Sequence, residues 1–147
     1  MTTKIIQASS EHLEDAATLF DAYRCFYGQS SDLEAARRFL ADRFKQKDSV
    51  LLLAYHAEKA VGFTQLYPSF SSVGMQRTWI LNDLFVIDSA RKLGVATSLL
   101  QHAQQFGIET NAARLTLATA PENQPAQALY QKLGWVADGF LHYKLDL

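Results

Sequence analysis

The sequence predicts an α/β fold: a mixed sheet with helices on both faces, in one domain over residues 1–147. Three observations predict it. Short apolar stretches suited to strands interleave with stretches whose apolar residues recur at helical spacing, in the order βααβββαβαβ with room for one more strand. A hydrophobic content of 48% against 20% charged residues gives the chain enough apolar material for one real core. The stretch Leu81–Leu100 passes from an apolar strand through a short basic turn into an amphipathic helix, the unit from which such sheets are built.

The elements follow in order. Lys4–Ala8 is short and partly alternating, as a first strand would be. Ser9 or Ser10 is placed to cap a helix from Glu11 to about Tyr23, with Leu13, Ala16, Ala17, Phe20 and Tyr23 on one face. Arg24 to Gln29 reads as an unusually aromatic loop. Ser31-Asp32-Leu33-Glu34 matches a capping box and opens a second helix to about Phe44. Strands are expected at Val50–His56 and Ala60–Tyr67, joined by a tight turn at Ala57-Glu58-Lys59. Pro68 ends the second of these or confines it to an edge. Phe70–Gln76 reads as a hairpin loop into a central strand, Arg77–Val86. The next helix carries Val95, Leu99, Leu100, Ala103 and Phe106, and Gly107 to Asn111 closes the turn after it. A strand at Arg114–Ala118, a helix from near Asn123 that carries Tyr130, and one or two strands within Trp135–Leu147 complete the chain.

Composition narrows the functional classes. A net charge of −1 leaves no basic excess to neutralise a phosphate backbone, so no nucleic-acid partner is expected. No apolar run approaches the roughly 20 residues that span a bilayer. Met1 to Ser10 lacks the basic and apolar regions of a signal peptide. The single cysteine, Cys25, excludes an internal disulfide, fits a reducing cytoplasm and reads as a small core filler. His12, His56, His102 and His142 show no metal-ligand spacing, and no metal is expected.

Arg91-Lys92-Leu93-Gly94-Val95-Ala96 lies between the central strand and its helix. A helix start leaves its first N–H groups unpaired, and the macrodipole adds about half a positive charge there. Gly94 lets backbone approach a ligand closely, and Arg91 and Lys92 bring full charges, a pattern suited to a phosphate or pyrophosphate. Neither G-x-x-x-x-G-K-[ST] nor G-x-G-x-x-G occurs, so a P-loop enzyme and a Rossmann dehydrogenase are excluded as readings.

This segment, with Val86 ahead of it, resembles the R-x-x-G-x-[GA] motif of the GNAT superfamily of acyl-CoA-dependent N-acetyltransferases. Downstream, Asn123 to Trp135 resembles that family's N-x-x-A-x-x-L-Y-x-[KR]-x-G-[FW] segment, in the expected order. The resemblance implies a mostly antiparallel sheet, splayed at the central strand. It implies acetyl-CoA as cofactor, its pyrophosphate on the backbone from Lys92 to Thr97 and its pantetheine amides along Leu84, Phe85 and Val86. A strand N–H there would face the developing oxyanion. Asn123 is a helix cap that can also touch the cofactor, and Lys132 is a candidate for a cofactor phosphate. Homodimerisation is implied as well.

Acetyl transfer to an amine needs a proton for the leaving thiolate and a base for the ammonium. Tyr130 occupies the position of the family's general acid, and a phenol with a pKa of about 10 keeps its proton at neutral pH. Gly62–Val86 looks most like the diamine and polyamine acetyltransferase branch, where a Glu usually precedes the Asp; here Asn82 precedes Asp83. Asp83 is thus either the base or a backbone-bonding group, and Asn82 can orient a water. Tyr23, Phe26, Tyr27, Tyr67 and Phe70 fall where the family builds its acceptor pocket, and aromatic walls attract an ammonium. The leading expectation is transfer to a primary amine of a small molecule. A protein lysine or N-terminal acetyltransferase and a non-catalytic acyl-CoA-binding module are the alternatives.

Overall fold

A computed structural model describes residues 2–147. Strands β1 (Thr3–Gln7), β2 (Val50–His56), β3 (Lys59–Ser71), β4 (Gln76–Val86) and β5 (Leu115–Thr116) and helices α1 (Leu13–Phe26), α2 (Leu33–Gln46), α3 (Val95–Glu109) and α4 (Gln124–Lys132) follow in the order β1, α1, α2, β2, β3, β4, α3, β5, α4. The strands lie side by side in sequence order. β1 to β4 pair antiparallel, and β5 is parallel to β4.

Alternation along β2 builds two cores, one on each face. Leu51 and Leu53 point towards α1 and α2, joining Ala16, Ala17, Leu40, Phe63 and Phe85. Leu52 and Ala54 point towards α3, joining Leu66, Leu81, Val95, Leu99 and Leu100. Helices therefore cover both faces, as the interleaved periodicities require. β2 passes to β3 through Ala57 and Glu58, both at positive φ (52° and 66°), which suits the twist of a two-residue hairpin. β3 continues through Pro68 because it has outrun β2, whose pairing stops at Leu66. Pro68 pairs with Trp79 of β4 on its one remaining side, so its missing N–H interrupts no ladder there.

Two features of β4 set up the functional region. Asp83 pairs with Gln65 and Leu81 with Leu66, which leaves Asn82 without a partner as a β-bulge. β4 and β5 share only the pairs Trp79–Leu115 and Ile80–Thr116. Beyond Ile80 the two strands part, and the edge of β4 up to Val86 is open on that side.

Several expectations are corrected. α1 does not stop at Tyr23 but runs to Phe26, because Tyr23, Phe26 and Tyr27 have the i, i+3, i+4 spacing of a helix face. Cys25 lies on the opposite side of that last turn, exposed, and fills no core. Asp32, not a Ser31–Glu34 box, caps α2 by accepting the Ala35 N–H at 3.1 Å, while the Ser31 hydroxyl donates to Asp21. Gly107 lies inside α3, where a Cβ would come 2.6 Å from the Leu115 side chain. It is a contact point for β5, not a turn residue. β5 itself is two residues long, and residues 135–147 form no strand.

At Gly62 a Cβ would lie 2.8 Å from the Phe85 carbonyl oxygen and within 3.3 Å of the Val86 and Val95 side chains. Backbone of a paired strand cannot step aside. Gly62→Ala is expected to destabilise the fold by about 1–3 kcal/mol, read as a lower urea midpoint at unchanged m value.

Candidate active site

Leaving β4, the chain makes a short 3-10 turn at Asp88–Ala90 and enters α3 through Lys92 (φ 68°) and Gly94 (φ 78°). The left-handed turn at Gly94 costs least for glycine. As a result the six successive N–H groups from Lys92 to Thr97 donate to no acceptor among the described residues. Lys92, Gly94, Val95, Ala96 and Thr97, with α4's Leu129, line a cleft of about 230 Å³. Unpaired donors at a positive helix end fit a pyrophosphate. Arg91 is fastened within this loop: its Nε donates to the Val86 carbonyl at 3.1 Å and its guanidinium reaches Asp88 at 2.6 Å. It also lies 5.3 Å from the Phe26 ring centre. Its first structural task is to hold the turn. Lys92 and Leu93 are exposed, Val95 is core, and Ala96 and Thr97 are half-buried.

The side chains of Leu84 and Val86 pack towards α3, and that of Phe85 towards α1 and α2. Only their backbone remains to face a ligand at the parted edge of β4.

Asn123 caps α4 by accepting the Ala126 N–H at 3.3 Å. At the other end the Trp135 N–H bonds the Tyr130 carbonyl (2.9 Å) and the Gly134 N–H bonds that of Gln131 (3.1 Å), with Gly134 at φ 95°. This is a Schellman ending, and it explains the glycine of the Y-x-K-x-G-W pattern. It folds Trp135 back so that its ring lies 6.1 Å from that of Tyr130. Burial, and then the neighbouring Tyr27, raise the Tyr130 phenol above its usual pKa, so it stays protonated and able to donate. Lys132 is exposed beside it in sequence.

On the α1 side, the Asp83 carboxylate is buried and accepts three hydrogen bonds. Tyr23 Oη donates at 2.9 Å, Asn82 Nδ2 at 3.2 Å and Gln65 Nε2 at 3.3 Å. Burial first, and Asp83 second, raise the phenols of both Tyr23 and Tyr67, the latter to about 12. Tyr23 stands edge-on to Tyr27 (5.1 Å) and to Phe63 (5.4 Å), and Phe26 packs on Tyr27 (5.3 Å). Asp83, Asn82, Tyr23 and Tyr67 are thus one cluster, with Tyr27 edge-on to Tyr23 at its margin. Phe70 stays apart, exposed and stacked under Arg77.

Gln65 is the residue that sequence reasoning missed. It is fully buried, one amide hydrogen holds Asp83, and its Oε1 has no hydrogen-bond partner among the described residues. A lone amide in the apolar run Val61–Leu66 was the available signal. A larger depression of about 400 Å³ beside Lys4, His12 and Tyr55 lies on the β1–β2 side and contains none of these groups. Among the described residues no cluster of His, Cys, Asp and Glu is placed to hold a metal ion, and no helix is long and apolar enough to cross a membrane.

Comparison with known proteins agrees with this geometry. The chain is 44% identical over 144 residues to the Uncharacterized N-acetyltransferase YhfO of Bacillus subtilis (strain 168), covering 97% of each. A crystal structure of a probable acetyltransferase superposes with a TM-score of 0.93 at 46% identity, over 98% of this chain and 97% of that one. The fold is also shared with AAC(6')-Iy, solved with the bisubstrate analog CoA-S-monomethyl-acetylneamine, at a TM-score of 0.82 and 22% identity over 100% and 99% of the two chains. The family model for acetyltransferases of the GNAT family matches residues 16–135. With the parted β4 edge, the donor-rich turn into α3 and these relatives in agreement, the chain belongs to the GNAT family and is an acetyltransferase.

Proposed function

We propose that this enzyme transfers the acetyl group of acetyl-CoA to a primary amine of a small cationic molecule, a diamine, a polyamine or an amino-acid-like compound, by direct attack in a ternary complex. The observation that carries this reading is the run of six unengaged N–H groups placed where β4 and β5 part. When bound, acetyl-CoA supplies the activated thioester. The N–H groups of Lys92 to Thr97 hold its pyrophosphate, with added charge from Arg91 and Lys132. The backbone of Leu84, Phe85 and Val86 would hold its amide groups as an added strand would, and an N–H of that edge would stabilise the charge that develops on the thioester oxygen. Asn123 fixes the start of α4 and borders the cofactor.

Asp83 takes the proton of the acceptor ammonium, directly or through a water held by Asn82. Tyr23, Phe26, Tyr27 and Tyr67 form the aromatic wall that admits the ammonium by cation–π attraction. Tyr130, kept protonated by burial, would supply the proton that the leaving thiolate needs. Exposed, unpaired Cys25 suits the reducing cytoplasm, where we place the reaction, and the family resemblance supports a homodimer.

Thiol release from acetyl-CoA across a panel of diamines, amino acids, aminoglycosides and short peptides tests the substrate class. A small amine is expected to give the highest kcat/KM, and turnover confined to peptides would overturn that assignment.

Tyr130→Phe is expected to lower kcat about 10²–10⁴-fold with little change in acetyl-CoA affinity. Unchanged turnover would remove Tyr130 from the mechanism.

Because burial raises the Tyr130 pKa, the phenol keeps its proton through pH 9 and the acid limb is not lost there. Activity is therefore expected to rise from about pH 7 to 9 as the amine loses its proton. Asp83→Asn, which can still accept from Tyr23, is expected to lower kcat/KM for the amine most strongly at pH 7. An equal loss at every pH would point to a structural role.

A further inference from the structure

Three side chains close over the Asp83 carboxylate. Its Oδ1 accepts from Tyr23 Oη at 2.9 Å and from Asn82 Nδ2 at 3.2 Å, and its Oδ2 accepts from Gln65 Nε2 at 3.3 Å. Gln65 approaches from β3, Asn82 from the same strand and Tyr23 from α1. The fully buried Thr64 donates to the Asp83 carbonyl at 2.7 Å and ties the backbone there as well. Only 7% of Asp83 is left exposed. An acceptor amine that comes along the aromatic wall therefore meets the neighbours of the carboxylate before the carboxylate itself.

Of the three donors, only Tyr23 carries a group that can take a proton as well as give one. The amide nitrogens of Asn82 and Gln65 donate and do not accept, whereas a hydroxyl has one proton and two acceptor sites. Tyr23 Oη donates to Asp83 and accepts from no described residue, so both of its acceptor sites are unused. The oxygen is also held in place. Its ring stands edge-on to Tyr27 at 5.1 Å, Phe63 at 5.4 Å and Phe85 at 5.8 Å. Burial first, then the Asp83 charge and its hydrogen bond, then Tyr27 and Tyr67, raise the Tyr23 phenol above its usual pKa. Tyr27 on α1, Tyr67 on β3 and Asp83 on β4 are the ionisable groups that act on it, and none of them favours a phenolate. A proton arriving at Oη must therefore be matched by one that leaves. Tyr67 feels the charge of Asp83 but makes no hydrogen bond to it, and cannot pass a proton on.

We propose that Tyr23 is a catalytic residue, the relay through which Asp83 takes the proton of the acceptor ammonium. One proton moves from the ammonium nitrogen to Tyr23 Oη while the phenolic proton moves from Oη to Asp83 Oδ1. The nitrogen keeps the electron pair of the broken N–H bond and becomes the nucleophile. Tyrosine is a neutral phenol before and after, and the carboxylate becomes the carboxylic acid. Gln65 and Asn82 hold that carboxylate against Oη throughout. The relay rests on Asp83 as the base proposed above, and names the atom through which the proton reaches it.

The test uses the amine, small or peptidic, that the panel above shows to be turned over fastest. Tyr23→Phe keeps the ring and removes only the hydroxyl. It is expected to lower kcat/KM for the amine about 10²-fold near pH 7 and far less near pH 9, where more of the amine arrives neutral. Acetyl-CoA affinity should not change. A proton inventory of kcat/KM in mixed light and heavy water should lose one moving proton in the variant. Apart from turnover, the Tyr23 Cζ resonance, assigned by its absence in Tyr23→Phe, should shift when the amine joins the complex of enzyme with CoA. Equal losses at both pH values, an unchanged inventory or a Cζ resonance indifferent to the amine would overturn the relay. Full activity in Asp83→Asn near pH 7 would remove the base and the relay together. Loss in Asp83→Asn with none in Tyr23→Phe would remove the relay and leave the base standing.

Discussion

Between Leu81 and Asp83, β4 carries one residue more than β3 opposite it, and side-chain direction in a strand alternates. The additional residue, Asn82, therefore exchanges the two faces of the strand from that point on. Before it, the odd-numbered Trp79 and Leu81 pack beneath α3; after it, the even-numbered Leu84 and Val86 do. Asp83 and Phe85 turn to the α1 side, where Tyr23 Oη meets the carboxylate. Without the bulge, the carboxylate would point into the apolar core under α3, where an unpaired charge is costly. The position of the candidate base and the two-sided packing of β4 both depend on this single unpaired residue.

Helix ends do the rest of the positioning. α1 and α4 both finish in Schellman turns, with Gly28 and Gly134 donating back into the last turn. Each ending fixes an aromatic side chain, Tyr27 on one face of the sheet and Tyr130 on the other. The start of α3 works in the opposite sense, leaving its N–H groups free. That is tolerable because Lys92, Leu93 and Gly94 are exposed and water can satisfy the donors until an anion replaces it. Satisfied carbonyls hold the candidate aromatic side chains, and the unsatisfied amides lie at the start of α3.

The readable parts of the sequence were those set by local chemistry. β2 was legible to its end residues because its apolar run and flanking turns are local signals. The Gly94 turn and the Asn123 cap were readable for the same reason, since each is defined within a few residues. Errors arose where a local signal competed with packing. The aromatic run after Tyr23 looks like a loop in composition, yet its spacing sets Phe26 against Phe85 and Tyr27 against Tyr23 while both stay largely exposed, so α1 continues. Gly107 looks like a helix stop, yet it lies inside α3, where the Leu115 side chain packs into the space a Cβ would take.

By itself the sequence determined the fold class, the order of its elements, the donor-rich turn at Gly94 and the Tyr130 segment, because periodicity, caps and glycine positions act over one or two turns of chain. Tertiary structure alone decided that Asp83 faces Tyr23, sixty residues away in the chain, and that Gln65 supports it. It also decided that β5 is too short to hold β4 beyond Ile80, and that residues 136–147 find no partner in their own chain. Strand register, bulge position and edge pairing are set by which long-range contacts close together, and no local stretch of residues carries that information.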